Sequence, residues 1–171
     1  MDLEFTDEQL ELRETARSVL AGACPPSLVR SVYDGIAGAD VLWKTLCDLD
    51  WPALGLPEQH GGLGLGPVEV GIVVEELARV SAPSPYLATV TNFVPMVRAA
   101  GSSFRLDEVA SGSCTATLAV AESGRWDPAA TGVSAERVGG GWRLQGVTSH
   151  VLDGASADEL AVVVRSEDGL G

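Results

Sequence analysis

Gly112-Ser113-Cys114-Thr115-Ala116-Thr117-Leu118-Ala119-Val120 is the stretch on which the fold turns, because the spacing of apolar residues changes across it. Upstream, apolar residues recur every three to four positions, the period of a helix. Downstream, Thr- and Val-rich runs alternate every second position, the period of a strand. Helices first and a sheet afterwards predict an α+β fold: an N-terminal all-α helical domain over residues 1–111, then an antiparallel β domain from residue 112, incomplete at the C-terminus.

The helical part starts with agreeing signals. Thr6 and Gln9 have the capping-box spacing, Asp7 and Glu8 sit where the helix dipole favours acids, and Phe5 is placed to pack on Leu10. Leu12, Ala16, Val19 and Leu20 then form one stripe, which Gly22 and the Cys24-Pro25-Pro26 turn should end. Leu42, Leu46 and Leu49 repeat the pattern after Asp40, and Val70, Val73, Val74, Leu77 and Val80 repeat it after Gly66-Pro67. A fourth helical stretch runs through Leu87, Val90 and Val94, and Pro95 is expected to kink or end it.

Beyond the boundary, four runs read as strands: residues 115–120, 132–138, 142–144 and 160–164. Gly139-Gly140-Gly141 marks a hairpin turn. With about four strands visible before Leu170-Gly171, one face of the sheet is expected to await further sequence or a partner chain.

Composition narrows the function. Of 171 residues, 46% are hydrophobic and 20% charged, an ordinary globular balance. Lys+Arg 11 against Asp+Glu 24 leaves a net charge of −13, which repels phosphate backbones and anionic lipid surfaces. The most apolar stretch, residues 68–77, is broken by Glu69, Glu75 and Glu76, so no membrane span is expected. Met1-Asp2-Leu3-Glu4 has the wrong charge for a leader, and the expected compartment is the cytoplasm. Cys24, Cys47 and Cys114 are odd in number and far apart, hence free thiols, and with His60 and His150 they make no metal-ligand spacing.

Each chemical candidate has a plain structural alternative. The run Gly61-Gly62-Leu63-Gly64-Leu65-Gly66 matches neither G-x-G-x-x-G nor a P-loop, and reads as a connector shaping the entry to the Pro67 helix. Glu58, Glu69, Glu75 and Glu76 read as solvated faces, since neighbours on a helix do not face each other. No Ser lies in G-x-S-x-G, and neither Cys24 nor Cys114 has an activating neighbour in sequence. His150, on an expected strand beside Gly146 and Gly154, fits a site lining or a satisfied core imidazole. Trp126 and Trp142 fit cofactor stacking or core packing.

Taken together, four blocks resemble the acyl-CoA dehydrogenase family. Residues 5–17 look like its opening helix. Trp43-Lys44 through Leu54-Gly55-Leu56-Pro57-Glu58-Gln59-His60-Gly61-Gly62-Leu63-Gly64 is similar to its W-x-x-L…LG-x-PE-x-x-GG-x-G segment. Val74-Glu75-Glu76-Leu77-Ala78-Arg79 is the third block, and Gly140-Gly141-Trp142-Arg143-Leu144-Gln145-Gly146 leading to Asp153-Gly154 and Ala157-Asp158 is the fourth. The resemblance implies that residues 112–171 are part of a middle β domain, with a C-terminal helical domain outside this sequence. It implies FAD as cofactor, an acyl-CoA substrate desaturated between its α- and β-carbons, an electron-transferring flavoprotein as acceptor, and a homo- or hetero-oligomer, as a tetramer.

The same resemblance puts the flavin contacts on Val120, Ala121, Glu122, Asp127, His150, Val151 and Leu152. There the sequence departs from the family. T-E-P-x-x-G-S falls on residues 121–127, where only Glu122 is kept, and Asp127 brings negative charge towards a pyrophosphate. The family's aromatic-Ile-Thr/Ser falls on His150-Val151-Leu152, and Leu152 has no donor. The family's catalytic glutamate belongs to the C-terminal domain, so no residue here takes that role. The expected function is that of a FAD-dependent acyl-CoA dehydrogenase subunit. The alternative is a non-catalytic partner subunit of a heteromeric acyl-CoA dehydrogenase with a degenerate flavin site.

Overall fold

The computed structural model describes residues 4–120 and 127–171. They form two compact units, residues 1–114 and 115–171, the first helical and the second built on short strands.

Helix α1 (Asp7–Ala23) begins as its sequence dictates. The Thr6 hydroxyl accepts from Gln9 N at 3.2 Å, and the Gln9 side chain accepts from Thr6 N at 3.1 Å. Its Ala16 and Leu20 are buried and pack with Leu42 and Leu46 of α3 (Asp40–Asp48) and Val73 and Leu77 of α4 (Pro67–Arg79). Trp51, Leu54 and Tyr86 complete this core. The Tyr86 hydroxyl donates to the Trp51 carbonyl at 3.2 Å, and burial pushes its pKa well above the ordinary tyrosine value. A short helix not expected from the sequence, α2 (Pro26–Tyr33), starts where Pro25-Pro26 reads as a turn: Pro26 occupies the first helical turn, where its missing N–H costs nothing.

Two polar contacts lock α1 to α4. Gln9 Nε2 donates to Glu69 Oε1 at 2.7 Å, and Arg17 donates to both oxygens of Glu76, from Nη2 at 2.7 Å and Nε at 3.2 Å. Early residues meet early and late meet late, so the two helices run parallel, as a long connection between them permits. Glu76 corrects the solvated-face reading, because it is only 2% exposed. About two and a half turns of helix separate it from the Pro67 end, and it lies on the same face as Val73, so it is carried into the seam. Arg17, with Arg79 Nε at 3.1 Å, supplies the charge that makes its burial tolerable.

The segment after α4 differs from expectation. Residues Leu87–Phe93 form a π-helix that runs into α5 (Val94–Ala99), with Pro95 in the first turn of α5 rather than at the end of the preceding helix. A proline ring collides with the carbonyl four residues earlier in a regular helix, and the wider π turn relieves that collision. Helix α6 (Leu106–Ala110) is the last helix of the unit, and the Gly112 carbonyl just after it accepts from Trp43 Nε1 at 3.0 Å. Gly112 sits at φ +73°, and a Cβ there would overlap Cys47 Sγ, so both backbone and packing require glycine.

In the second unit, the order of helices then sheet is as read from the sequence, but the pairing is not wholly antiparallel. Strand β1 (Ala116–Ala119) pairs parallel with β4 (Glu159–Val162). A second sheet has the order β3-β2-β5-β6, in which β2 (Ser134–Val138) and β3 (Gly141–Gln145) form the expected antiparallel hairpin through Gly139 and Gly140. Strands β5 (Arg165–Ser166) and β6 (Gly169–Leu170) form a smaller one, and β5 runs parallel to β2. Only a tight turn forces antiparallel pairing, and the long connection from β1 to β4 leaves the parallel arrangement open.

Glu76→Gln is expected to lower unfolding free energy by about 2 kcal/mol, since it leaves Arg17 and Arg79 without their carboxylate. The Arg17 hydrogen bond, followed by the nearby guanidinium charges, holds the Glu76 carboxyl below the usual range. Its stabilisation is therefore full above the ordinary glutamate value of about 4.3 and is lost as pH falls from there through the lowered folded value. Urea titrations between pH 7 and 3 should show a shallower acid loss in Glu76→Gln than in the parent.

Candidate functional site

The residues matched to flavin contacts are distributed over three places in the β unit. Val120 follows β1 and is buried. Ala121 and Glu122 lie outside the described residues, as does Trp126. Asp127 is exposed and caps a short turn over Pro128–Ala130, its Oδ1 accepting from Ala129 N at 3.0 Å.

His150, Val151 and Leu152 lie in a loop rather than on the expected strand. Gly146, at φ +151° with Gly132 O and Val133 Cα within 2.7 Å of where a Cβ would stand, closes β3 and turns the chain away. His150 at φ +58° and Asp153 at φ +51° keep the loop irregular. The loop is anchored where the buried Thr117 hydroxyl donates to the Leu152 carbonyl at 2.6 Å. His150 Nδ1 lies 3.0 Å from the Ser149 hydroxyl. At the start of β1, Asp158 Oδ2 accepts from Thr115 N at 2.8 Å and its hydroxyl at 2.9 Å, and these bonds hold the Asp158 carboxyl below its ordinary value.

Among the described residues, His150 is the one member of this set that brings a ring N–H or ring nitrogen to a flavin. Leu152 brings its β1-pinned carbonyl and an apolar side chain, and Val120 and Val151 are apolar. Asp127 is a carboxylate where a pyrophosphate would need cations or neutral donors. Trp142, the stacking candidate, is half exposed on β3 with the Arg137 guanidinium 4.5 Å from its ring centroid.

The glycine run is a connector, and its amides are used up. Gly62, Leu63, Gly64 and Leu65 donate to the carbonyls of Pro57, Ala53, Leu56 and Leu54 at 2.9–3.1 Å, and Gly66 N donates to Glu69 Oε2 at 2.9 Å. No cradle of free N–H groups is left there for a phosphate. A Cβ on Gly62 would overlap the Leu56 carbonyl, which explains the glycine.

That connector forms one wall of a site the sequence analysis missed. A cavity of about 460 Å³ opens in the helical unit between the start of α4, the π-helix and α5. Leu56, Leu65, Val70, Gly71 and Val90 line it, with Arg98 as its one charged wall residue. Val70 and Val74, read from sequence as members of one packing stripe, do pack against the core, and being half-buried they also line this space. The available signal was Gly71, a glycine inside a helix with open room beside it.

The comparisons agree with this architecture. Residues 6–105 match the family profile described as "Acyl-CoA dehydrogenase, N-terminal domain", and the chain belongs to the acyl-CoA dehydrogenase family. It is similar to "Acyl-CoA dehydrogenase IpdE2" of Mycobacterium tuberculosis, 36% identical over 115 residues that cover 66% of this chain and 36% of that protein. Among solved structures, the "Tcur3481-Tcur3483 steroid ACAD G363A variant" matches at TM-score 0.83 and 30% identity, covering 96% of this chain and 46% of that one. The ChsE4-ChsE5 complex from Mycobacterium tuberculosis matches at TM-score 0.83 and 25% identity, covering 99% and 47%. The chain thus spans less than half the length of these relatives. Among the described residues, no helix is long and apolar enough to cross a membrane.

Thr117→Val removes this anchor of the loop and leaves the Leu152 carbonyl without its hydroxyl donor. It should cost about 1 kcal/mol of stability and raise amide exchange across residues 148–154. Exchange confined to that loop is the expected pattern, while unchanged protection there contradicts the anchoring role.

Proposed function

We propose that this chain serves as a subunit of a FAD-linked acyl-CoA dehydrogenase, which forms a carbon–carbon double bond beside a thioester, and that its helical unit receives the acyl group. The observation that carries this is the apolar cavity between α4 and the π-helix. Its volume falls in the range of small-molecule sites, about 300–1,000 Å³. π-Helical turns are frequent at functional sites, and this one forms a cavity wall. The proposed assembly passes electrons to an electron-transferring flavoprotein.

A second reading is favoured by Leu152 and Asp127: the chain is the partner subunit of a heteromeric assembly, and a paralogous chain holds the flavin. Native mass spectrometry of the assembly purified from its source separates the two. One FAD per copy of this chain in a homo-oligomer supports the flavin-binding subunit, and fewer flavins than chains, with a second polypeptide present, supports the partner role. Leu152→Thr restores a hydroxyl, so a tighter flavin in that variant favours the first reading and an unchanged affinity the second.

Gly71 tests the cavity itself. Gly71→Ala should raise stability by about 0.5–1 kcal/mol, because a helix-interior glycine is replaced where nothing lies within 4 Å of the new Cβ. Gly71→Leu should keep the fold and abolish acyl-CoA binding, measured by calorimetric titration with octanoyl-CoA. Undiminished binding by a folded Gly71→Leu variant contradicts the acyl-receiving role.

A further inference from the structure

We infer that Arg98 is a specificity-determining residue that reads an anionic group on the ligand filling this cavity. The inference rests on the acyl-receiving reading above and adds the chemical class of what is received: an amphiphile with an apolar body and a carboxylate or phosphate oxygen at the cavity rim.

Three observations carry it. First, Arg98 is the one charged side chain of an otherwise apolar lining, and it is exposed. The other polar candidate, Thr91, already donates its hydroxyl to the Leu87 carbonyl at 2.6 Å. Second, the charge of Arg98 is uncommitted. In this chain of net charge −13, Arg17, Arg79, Arg105 and Arg143 each lie within ion-pair distance of a glutamate. Arg98, like Arg13, Arg30, Arg137 and Arg165, has no such carboxylate among the described residues, and of these it alone lines the cavity, with Nη1 donating to the Gly55 carbonyl at 3.2 Å. Third, that bond ties the guanidinium to the Ala53–Pro57 segment, on which the glycine connector packs. The fork is thereby held at the rim with most of its N–H groups left for a ligand, and a planar fork loses little freedom on taking a bidentate anion.

The anion has two chemical sources, a carboxylate at the far end of the acyl group or a phosphate of coenzyme A. Dissociation constants for octanoyl-CoA and suberyl-CoA, which differ by a terminal carboxylate, are measured on the purified assembly containing the parent chain, Arg98→Gln or Arg98→Lys. Arg98→Gln is expected to weaken binding about tenfold, and Arg98→Lys to recover part of the loss. Loss for suberyl-CoA alone assigns the acyl carboxylate as the anion, and equal loss for both ligands assigns the coenzyme A phosphates. Binding of both ligands unchanged by Arg98→Gln overturns the inference and leaves the acyl-receiving reading standing. If the parent assembly binds neither ligand, the acyl-receiving reading itself falls, and this inference with it.

Discussion

A buried carboxylate between two arginines organises the helical unit. Glu76 is withdrawn from water on the seam of α1 and α4, held by Arg17 from one helix and Arg79 one turn further along its own. A charge in that position is costly unless every oxygen is met, and here both are. The bond geometry therefore fixes how far α4 can slide or rotate against α1. Gln9 on Glu69 fixes the other end of the same pair, so register is set at two points about two turns apart.

From that register the rest follows. Two parallel helices in contact need a long return between them, and the chain spends residues 24–66 on it: α2, α3, the Trp51 turn and the glycine connector. The connector spends its amides on the Ala53–Pro57 segment and delivers Pro67 to the start of α4. With one face of α4 committed to α1, its neighbouring face, carrying Val70, Gly71 and Val74, is left opposite the π-helix, and the cavity is the space between them. The structural ion pair and the proposed ligand site are thus two faces of one helix.

Much of this was legible in the sequence where local chemistry decides. The Thr6/Gln9 box, the stripes through Leu20, Leu46 and Leu77, the change of period at Gly112 and the glycine hairpin before Trp142 all depend on neighbours within a few residues, although Leu49 and Val80, read as the ends of two stripes, lie outside the buried core. What was not legible depends on distant partners. Glu76 reads as one more surface acid until Arg17, 59 residues away, reaches it. The π-helix hides because Pro95 announces a break without saying how the chain accommodates it, and the parallel pairing of β1 with β4 is set by a connection rather than by either strand. Of the positions that the family resemblance matches to flavin contacts, His150 was expected on a strand, and Gly146 ends that strand before it. The loss of a donor at Leu152 was plain from residue type alone, and the anchoring of its carbonyl by Thr117 was not.

The central claim is that the acyl group enters the helical unit between α4 and the π-helix. An acyl-CoA carrying a photoreactive diazirine at the end of its acyl chain, irradiated with the purified assembly and mapped by peptide mass spectrometry, tests it most directly. The account predicts labels on the segments around Val70 to Val74 and Leu87 to Val94. Labelling confined to the β unit or to another polypeptide, with those segments untouched, would contradict it.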